Sequence, residues 1–463
     1  MSSEPDKRSA SRGRTARLAS ARLLLAFVFV LVSVAAGCAE PAARARVLLV
    51  GVDGATFSVA DPLLRAGKMP ALAALVERGV RAPLLSDPPM YSPAVWTTIA
   101  TGKRREKHGI TWFTMTPPRG GEEVLVNSHF RKTSALWNIL TVAGLRVNVA
   151  GFWATWPPEP VNGVLVSDRT ARERFADWAP EARIEKSATV HPAELEPEIA
   201  ALVAAPDEID RDELRALANF TDAEIERIAG AGEAALYDGY SVTKYAWQAQ
   251  KSYARIGEHL LRTRPAELTA VFLVAIDPIS HGFWHCHEPG AFEGVDPDEA
   301  RRLSGVVANA YVAFDRHLAR LVDAAGPDAT VIVCSDHGFK ASGKVTVPYE
   351  TQSGEHDIEG LFVAAGPAIR PLESAGSGRP FRPTVFDVAP TVLAILGLPA
   401  GRDMDGRVLE EILEPRVRRG VPRPIESWDR RAFRSGPGGE ASPPEDPADA
   451  AYVERLRALG YIR

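Results

Sequence analysis

Several short apolar runs in this chain end abruptly at charged residues. The run 47–52 (Val-Leu-Leu-Val-Gly-Val) stops at Asp53-Gly54, and 331–334 (Val-Ile-Val-Cys) stops at Ser335-Asp336-His337-Gly338. Unbroken apolar runs of this length read as strands buried on both faces rather than as half-exposed, alternating ones. A third such run, 268–276, ends at Asp277, and a fourth covers 361–366; 144–149 and 161–167 read as further strands. Helical patterns separate them. Residues 70–77 place Leu72, Leu75 and Val76 on one face behind Pro70 in the first turn. A second helix starts with Ser92 at its N-cap and Pro93 at its first position. Others are expected over 240–262, 301–325 and 387–396. Residues 170–265 have no strand pattern, are rich in Ala and Glu, and contain the capping-box sequence Thr221-Asp222-Ala223-Glu224. They are expected to form a helical insertion or cap.

This alternation of strands and helices, without hairpin signals, predicts an α/β fold with a mostly parallel central sheet and helices on both faces. The catalytic domain is expected over 46–414. A tail, 415–463, follows: a linker rich in Pro, Gly, Arg and acids, then a terminal helix over 448–459.

The N-terminus changes the picture. Six basic residues between Lys7 and Arg22 precede an apolar run, 23–36, that is short for a bilayer span and suited to a signal peptide. It ends in Ala35-Ala36-Gly37-Cys38, which resembles a bacterial lipobox with Ala35 in place of the usual Leu. The expectation is a signal peptide over 1–37 and lipidation at Cys38. That puts the mature chain, lipid-anchored, on the periplasmic face of a bacterial membrane or on the cell surface. The formal net charge of −5 becomes more negative once the basic leader is removed, which argues against a nucleic-acid partner. Besides Cys38, the chain contains Cys286 and Cys334, and nothing in their placement suggests a disulfide framework.

The candidate chemistry lies at the strand ends. In open α/β sheets, ligands bind just beyond the carboxyl ends of the strands. Asp53, Asp277 and Asp336 would converge there if their strands are parallel neighbours, and three crowded acids repel unless a cation neutralises them. Histidines accompany them. His337 adjoins Asp336, His281 follows Asp277 by one helical turn, and His356 lies in a Gly354-Glu355-His356-Asp357 turn. Asp and His donors suit zinc, with manganese as the alternative, and six ligands divide into two sites of three. Two adjacent metals can clamp the attacking and leaving oxygens of a phosphoryl transfer. Ser92, at a helix start, supplies the nucleophile.

Taken in order, Asp53 after a strand, Ser92-Pro93-Ala94-Val95-Trp96-Thr97-Thr98, Asp277-Pro278-Ile279-Ser280-His281, Ser335-Asp336-His337-Gly338 and Gly354-Glu355-His356 resemble the alkaline phosphatase superfamily. Its type I phosphodiesterase/nucleotide pyrophosphatase branch is the nearest in pattern, and Lys107-His108-Gly109-Ile110 and Asp403-Met404-Asp405-Gly406 also fit. The resemblance implies that Asp53, Asp336 and His337 bind one metal beside the nucleophile Ser92. It assigns Asp277, His281 and His356 to the other. It further implies a hydrolase of phosphate esters, a phosphodiesterase first, acting on a small substrate through a phosphoseryl intermediate. Where the nucleotide pyrophosphatases carry an Asn soon after the His-Gly-Ile motif, this chain has Thr111-Trp112-Phe113. That departure argues against nucleotide substrates.

The alternatives are a phosphomonoesterase, a transferase that passes the phospho-head-group to an acceptor, a sulfatase and a non-catalytic binding lipoprotein. The sulfatase reading requires Pro two positions and Arg four positions after the modified residue. Ala94 and Trp96 stand there instead. His285 and His287 are secondary ligand candidates, Lys340 a candidate phosphate contact, and Trp153 and Trp156 candidates for the pocket mouth. His108, His129, His191, His259 and His317 are expected to be structural or exposed.

Overall fold

The computed structural model describes residues 44–116, 123–171, 188–205, 208, 210–230, 239–346, 352–371 and 381–429. The expected signal peptide, Cys38 and the 448–459 helix lie outside these residues. The description concerns the unit that begins at Ala45.

Apart from a two-stranded ribbon of Thr114–Met115 and Val124–Leu125, the strands among the described residues, in chain order, are β1 (Arg46–Val52), β2 (Gly79–Leu85), β3 (Val147–Ala150), β4 (Gly163–Val166), β5 (Val190–His191), β6 (Leu268–Leu273), β7 (Ala329–Cys334), β8 (Gly338–Thr346), β9 (Gln352–Asp357) and β10 (Glu359–Ala365). Eight of them form one sheet in the order β2-β10-β7-β1-β6-β3-β4-β5. Strands β7, β1, β6, β3 and β4 run parallel. β10 pairs antiparallel with both β7 and β2, and β5 pairs antiparallel with β4. The fold is thus α/β with a mixed, mostly parallel sheet, as the strand pattern predicts. β8 and β9 form a separate antiparallel hairpin.

Register sets the functional edge. Gly51 of β1 lies opposite Cys334 of β7 and Phe272 of β6. The three central strands therefore end together, and Asp53, Asp277 and Asp336 leave the sheet at one edge. β1, β6 and β7 are buried along almost their whole length, which explains their unbroken apolar sequences. Gly51 permits close packing above β1: a Cβ there would lie 2.6 Å from the Trp96 ring.

Helices cover both faces. On one side Leu48, Val50 and Val52 pack with α1 (Phe57–Arg65), α2 (Pro70–Glu77) and residues of α5 (Arg211–Leu217), α6 (Asp222–Ala229), α7 (Gly239–Thr263), α8 (Ile276–His287) and α9 (Val306–Ala325). On the other, Val47 and Leu49 pack with α3 (Ser92–Thr101), α4 (Leu136–Val142) and α10 (Val388–Ile395). Helix α7, in the segment expected as an insertion, joins the same core as β1. The two-residue β5 also falls within that segment. A strand that short leaves no periodicity to read.

Two further strands differ from the sequence expectation. β2 follows α2 directly and contains Pro83, which demotes a strand pattern but is tolerated on an edge strand. The β8–β9 hairpin is rich in Gly, Ser, Lys and acids and shows no alternation. His356 accordingly lies on a strand of that hairpin, not in a turn. Helix α3 begins one residue earlier than expected: Tyr91 is its N-cap and Ser92 its first helical residue. Cys286 and Cys334 are free and buried.

Candidate active site

The site assembles from five strand or helix ends. Asp53 follows β1, Asp336 and His337 follow β7, Asp277 and His281 lie one turn apart on α8, and His356 is on β9. Ser92 opens α3. Asp53, Asp336 and His337 are almost completely buried, as is Ser92, and Asp277 is 5% exposed.

The nitrogens and oxygens that would bind metal face one another. His337 Nε2 lies 3.4 Å from Asp336 Oδ2, 3.5 Å from Asp53 Oδ1 and 3.7 Å from Asp277 Oδ1. Asp277 Oδ1 in turn lies 3.3 Å from His356 Nε2 and 3.5 Å from His281 Nε2, and those two nitrogens are 3.0 Å apart. All six residues expected as ligands therefore meet in one cluster. His337 occupies its centre. Its ring stacks on that of His356 at 3.5 Å between centroids, and its Nε2 can complete a triad with Asp53 and Asp336 or with Asp277 and His356.

The histidine tautomers follow from the second nitrogen of each ring. His281 Nδ1 is 2.8 Å from the Gly354 carbonyl, His337 Nδ1 is 3.0 Å from the Gly338 carbonyl, and His356 Nδ1 is 2.8 Å from the Met90 carbonyl. A carbonyl only accepts, so each Nδ1 carries the proton and donates. In the neutral imidazole each Nε2 is then a lone pair aimed into the cluster, the arrangement of a metal-binding histidine with its tautomer fixed by a backbone partner.

Charge gives the same picture. Burial, followed by repulsion from Asp336 and Asp277, raises the Asp53 carboxyl well above the usual carboxylate range. Burial raises Asp336 to about 8. Burial also acts to raise Asp277, but the charges and hydrogen bonds of His281 and His356 outweigh it and hold Asp277 well below its ordinary value. Burial and the charge of His356 lower His337 well below the usual imidazole value. Among the described residues, Asp53 Oδ1, Asp336 Oδ2 and His337 Nε2 are buried without a hydrogen-bond partner. Polar atoms in that condition cost stability unless a ligand satisfies them. The donor set of three carboxylates and three imidazoles fits divalent cations of the zinc type.

Ser92 is tied to this cluster through its chain neighbours, since the Met90 carbonyl two residues earlier accepts the His356 hydrogen bond. Because Tyr91 is the N-cap, the Ser92 hydroxyl does not serve as one. Arg105 steadies the approach to Ser92, donating to the Asp87 and Pro89 carbonyls and to the Asp87 carboxylate. At the other end of α3, the buried Lys103 ammonium bridges Asp403 (2.6 Å) and Asp429 (2.7 Å). Lys107 pairs with Asp405. The Lys-His-Gly-Ile and Asp-Met-Asp-Gly sequences thus hold each other, away from the cluster.

The secondary candidates fall elsewhere. The His285 backbone N–H donates to Ser353 Oγ, which also lies 3.0 Å from the His285 ring, so this residue ties α8 to β9. His287 packs on Trp284. Lys340 is exposed and pairs with Glu355. Trp156 is buried beneath the Arg169 guanidinium, whereas Trp153 stays partly exposed. His108 is a structural residue. It is buried, 3.1 Å from Thr98 Oγ1, with its Nδ1 accepting from Ile110 N–H, and burial lowers it to about 3. Sequence reasoning missed Phe339, whose ring packs edge-on against His281 and His356, and Tyr91. Only their position beside the motif residues marks them.

The chain belongs to the type I phosphodiesterase/nucleotide pyrophosphatase family, whose model matches residues 47–366. Membership supports hydrolysis of phosphate esters. No curated protein shows detectable sequence similarity. Among solved structures, similarity extends to phosphonoacetate hydrolase from Sinorhizobium meliloti, at 16% identity over 76% of this chain and 96% of that one, with a TM-score of 0.45. Human ectonucleotide pyrophosphatase/phosphodiesterase 5 matches at 13% identity over 80% of this chain and 100% of that one, with a TM-score of 0.47. A variant of the alkaline phosphatase PafA matches at 12% identity over 81% and 100%, with a TM-score of 0.48.

Proposed function

We propose that this protein is a two-metal phosphodiesterase in which Ser92 is the nucleophile and a phosphoseryl ester is the intermediate. The observation that carries this reading is the meeting of Asp53, Asp277, His281, Asp336, His337 and His356 in one buried cluster, joined to the Ser92 segment through the Met90 carbonyl. Asp53, Asp336 and His337 would hold one divalent ion, Asp277, His281 and His356 the other, with His337 between them. Such ions, zinc by donor type with manganese as the alternative, supply charge that favours the serine alkoxide and offsets the developing charge on phosphorus oxygens.

The chain's own groups do the rest. The first turn of α3 places the Ser92 hydroxyl where the helix dipole favours an anion. Ser92 Oγ attacks phosphorus in line, the P–O bond to the leaving alcohol breaks, and water then hydrolyses the phosphoseryl ester. Backbone carbonyls of Gly338, Gly354 and Met90 hold the three imidazoles in the ligating tautomer throughout. The lipobox-like sequence ending at Cys38 supports export and lipid anchoring of this activity. Metabolic labelling with a radiolabelled fatty acid, absent in Cys38→Ala, tests the anchor.

The decisive experiment pairs activity with metal analysis. Ser92→Ala is expected to abolish hydrolysis of bis(p-nitrophenyl) phosphate while the metal content stays at the wild-type level. Full activity in that variant would refute the assignment.

A further inference from the structure

A group of aromatic side chains beside Ser92 has no part in the chemistry above. Tyr91 stands between Met90, whose carbonyl is bonded to His356, and Ser92. Its ring meets Trp112 edge-on at 3.9 Å and Phe113 at 6.3 Å, and Phe113 meets Trp153 at 5.8 Å. Phe113 and Leu125 are buried and form a floor, while Tyr91, Trp112 and Trp153 keep part of their surface exposed above it. The shelf therefore begins at the residue preceding the nucleophile.

The far side of the shelf is held rigidly. Trp153 lies on the loop leaving β3, at the same sheet edge as the three acids. Asp168 accepts the backbone N–H groups of Ala154 and Trp156, each at 3.0 Å. Ala154 has φ 55°, a left-handed conformation uncommon for a residue with a side chain. Strain of that kind persists only where the surroundings enforce it, and it gathers at ligand sites. Trp153 Nε1 is moreover buried without a hydrogen-bond partner among the described residues. A ligand therefore meets this indole through the exposed part of its ring rather than through its N–H.

We infer that Tyr91, Trp112 and Trp153 form the subsite for an aromatic ester group of the substrate, so that this enzyme favours aryl over small alkyl phosphodiesters. Flat rings gain most from edge-to-face contact with such a shelf. The inference rests on the phosphodiesterase reading and names the substrate class of the same site.

The test holds the leaving group constant. Wild-type protein and the Trp112→Ala and Trp153→Ala variants, each checked for fold by circular dichroism and for metal content, are compared on p-nitrophenyl phenyl phosphate and p-nitrophenyl methyl phosphate. The wild type is expected to prefer the phenyl diester in kcat/KM by about tenfold or more, and either variant to bring that ratio several-fold closer to one. A ratio unchanged in both variants overturns the inference. If the metal-loaded wild type hydrolyses neither diester, the phosphodiesterase reading fails, and the shelf is then read by binding alone. Tryptophan-fluorescence titration of Ser92→Ala with diphenyl phosphate and dimethyl phosphate is expected to show at least about tenfold tighter binding of the phenyl ligand. Adding Trp112→Ala is expected to abolish that difference. Equal affinities for the two ligands overturn the subsite.

Discussion

Without divalent ions in the proposed site, stability is expected to fall as pH rises above neutrality, and the size of the fall can be worked from the cluster. In the metal-free protein, burial raises Asp336 to about 8, against about 3.9 in an unfolded chain. Between those values the folded state binds a proton that the unfolded state releases. The stabilisation from protonated Asp336 is therefore complete below about pH 4 and is lost as pH rises through about 8, at about 1.4 kcal/mol per pH unit. Asp53 shifts in the same direction. The other two shifts have the opposite sign. Asp277, held low, loses its contribution only when pH falls below the usual carboxylate range. His337, also lowered, makes stability rise with pH until the unfolded imidazole has lost its proton, about one unit above its pKa of about 6.5.

His108, His129, His285, His287 and His317 are lowered as well, but they lie outside the cluster and cancel between metal-free and metal-loaded protein, so the raised acids dominate the difference above neutrality. From pH 6.5 to 8 Asp336 alone removes about 2 kcal/mol of stability from the metal-free protein. With ions bound, the carboxylates are ionised throughout and this slope vanishes. Urea unfolding of chelator-treated and metal-loaded protein, followed by tryptophan fluorescence at several pH values in that window, measures the difference directly. The Asp53→Asn, Asp336→Asn double variant is expected to flatten the metal-free profile. Parallel profiles for metal-free and metal-loaded wild type would refute the reasoning.

Other perturbations separate the cluster from its supports. Lys103→Met removes a buried ammonium from between Asp403 and Asp429. Breaking a fully buried pair costs about 3–5 kcal/mol, but both carboxylates are nearly a third exposed, so a loss of about 2 kcal/mol in urea unfolding is expected, with metal content retained. Gly54→Ala places a Cβ 2.5 Å from the Phe339 ring on a backbone at φ +71°. The left-handed conformation alone costs about 1–2 kcal/mol. Displacement of Phe339 from His281 and His356 is expected to weaken metal binding several-fold in competition with a chromophoric chelator. Unchanged stability and affinity would show that Phe339 yields freely.

The parts of this molecule legible in its sequence are those where local chemistry and tertiary position coincide. β1, β6 and β7 announce themselves because a strand buried on both faces has no room for polar residues until it leaves the sheet; Asp53 and Asp336 mark that exit, whereas β6 stops at Leu273, short of the expected 276, and its apolar run continues into α8, which carries Asp277. The one-turn spacing of Asp277 and His281 was readable for the same reason. The β8–β9 hairpin was not, because its residues make no apolar pattern and its register, Phe339 opposite His356, is fixed by what it packs against. Nor could the sequence place His337 at the centre of both triads or assign the Met90, Gly338 and Gly354 carbonyls to the histidines. Those are backbone contacts, one of them between residues 266 positions apart. The one-residue difference at the start of α3 has a similar origin. Ser is a favoured N-cap, and only the observed geometry shows Tyr91 in that role.

The ligands of the cluster reach from Asp53 to His356 along the chain, and only Asp277 with His281 and Asp336 with His337 are local pairs. An unfolded polypeptide therefore offers at most bidentate fragments to a passing ion, and the complete site comes into being only when β1, β6, β7 and the hairpin have docked. On the proposed two-metal reading, ion capture by this protein would be a late event in its biogenesis. If this chain crosses a membrane before it folds, as the proposed export implies, the ions of the proposed site would be drawn from the destination compartment, whose supply of free metal, more than the preference of the donor atoms, would decide which element the protein carries.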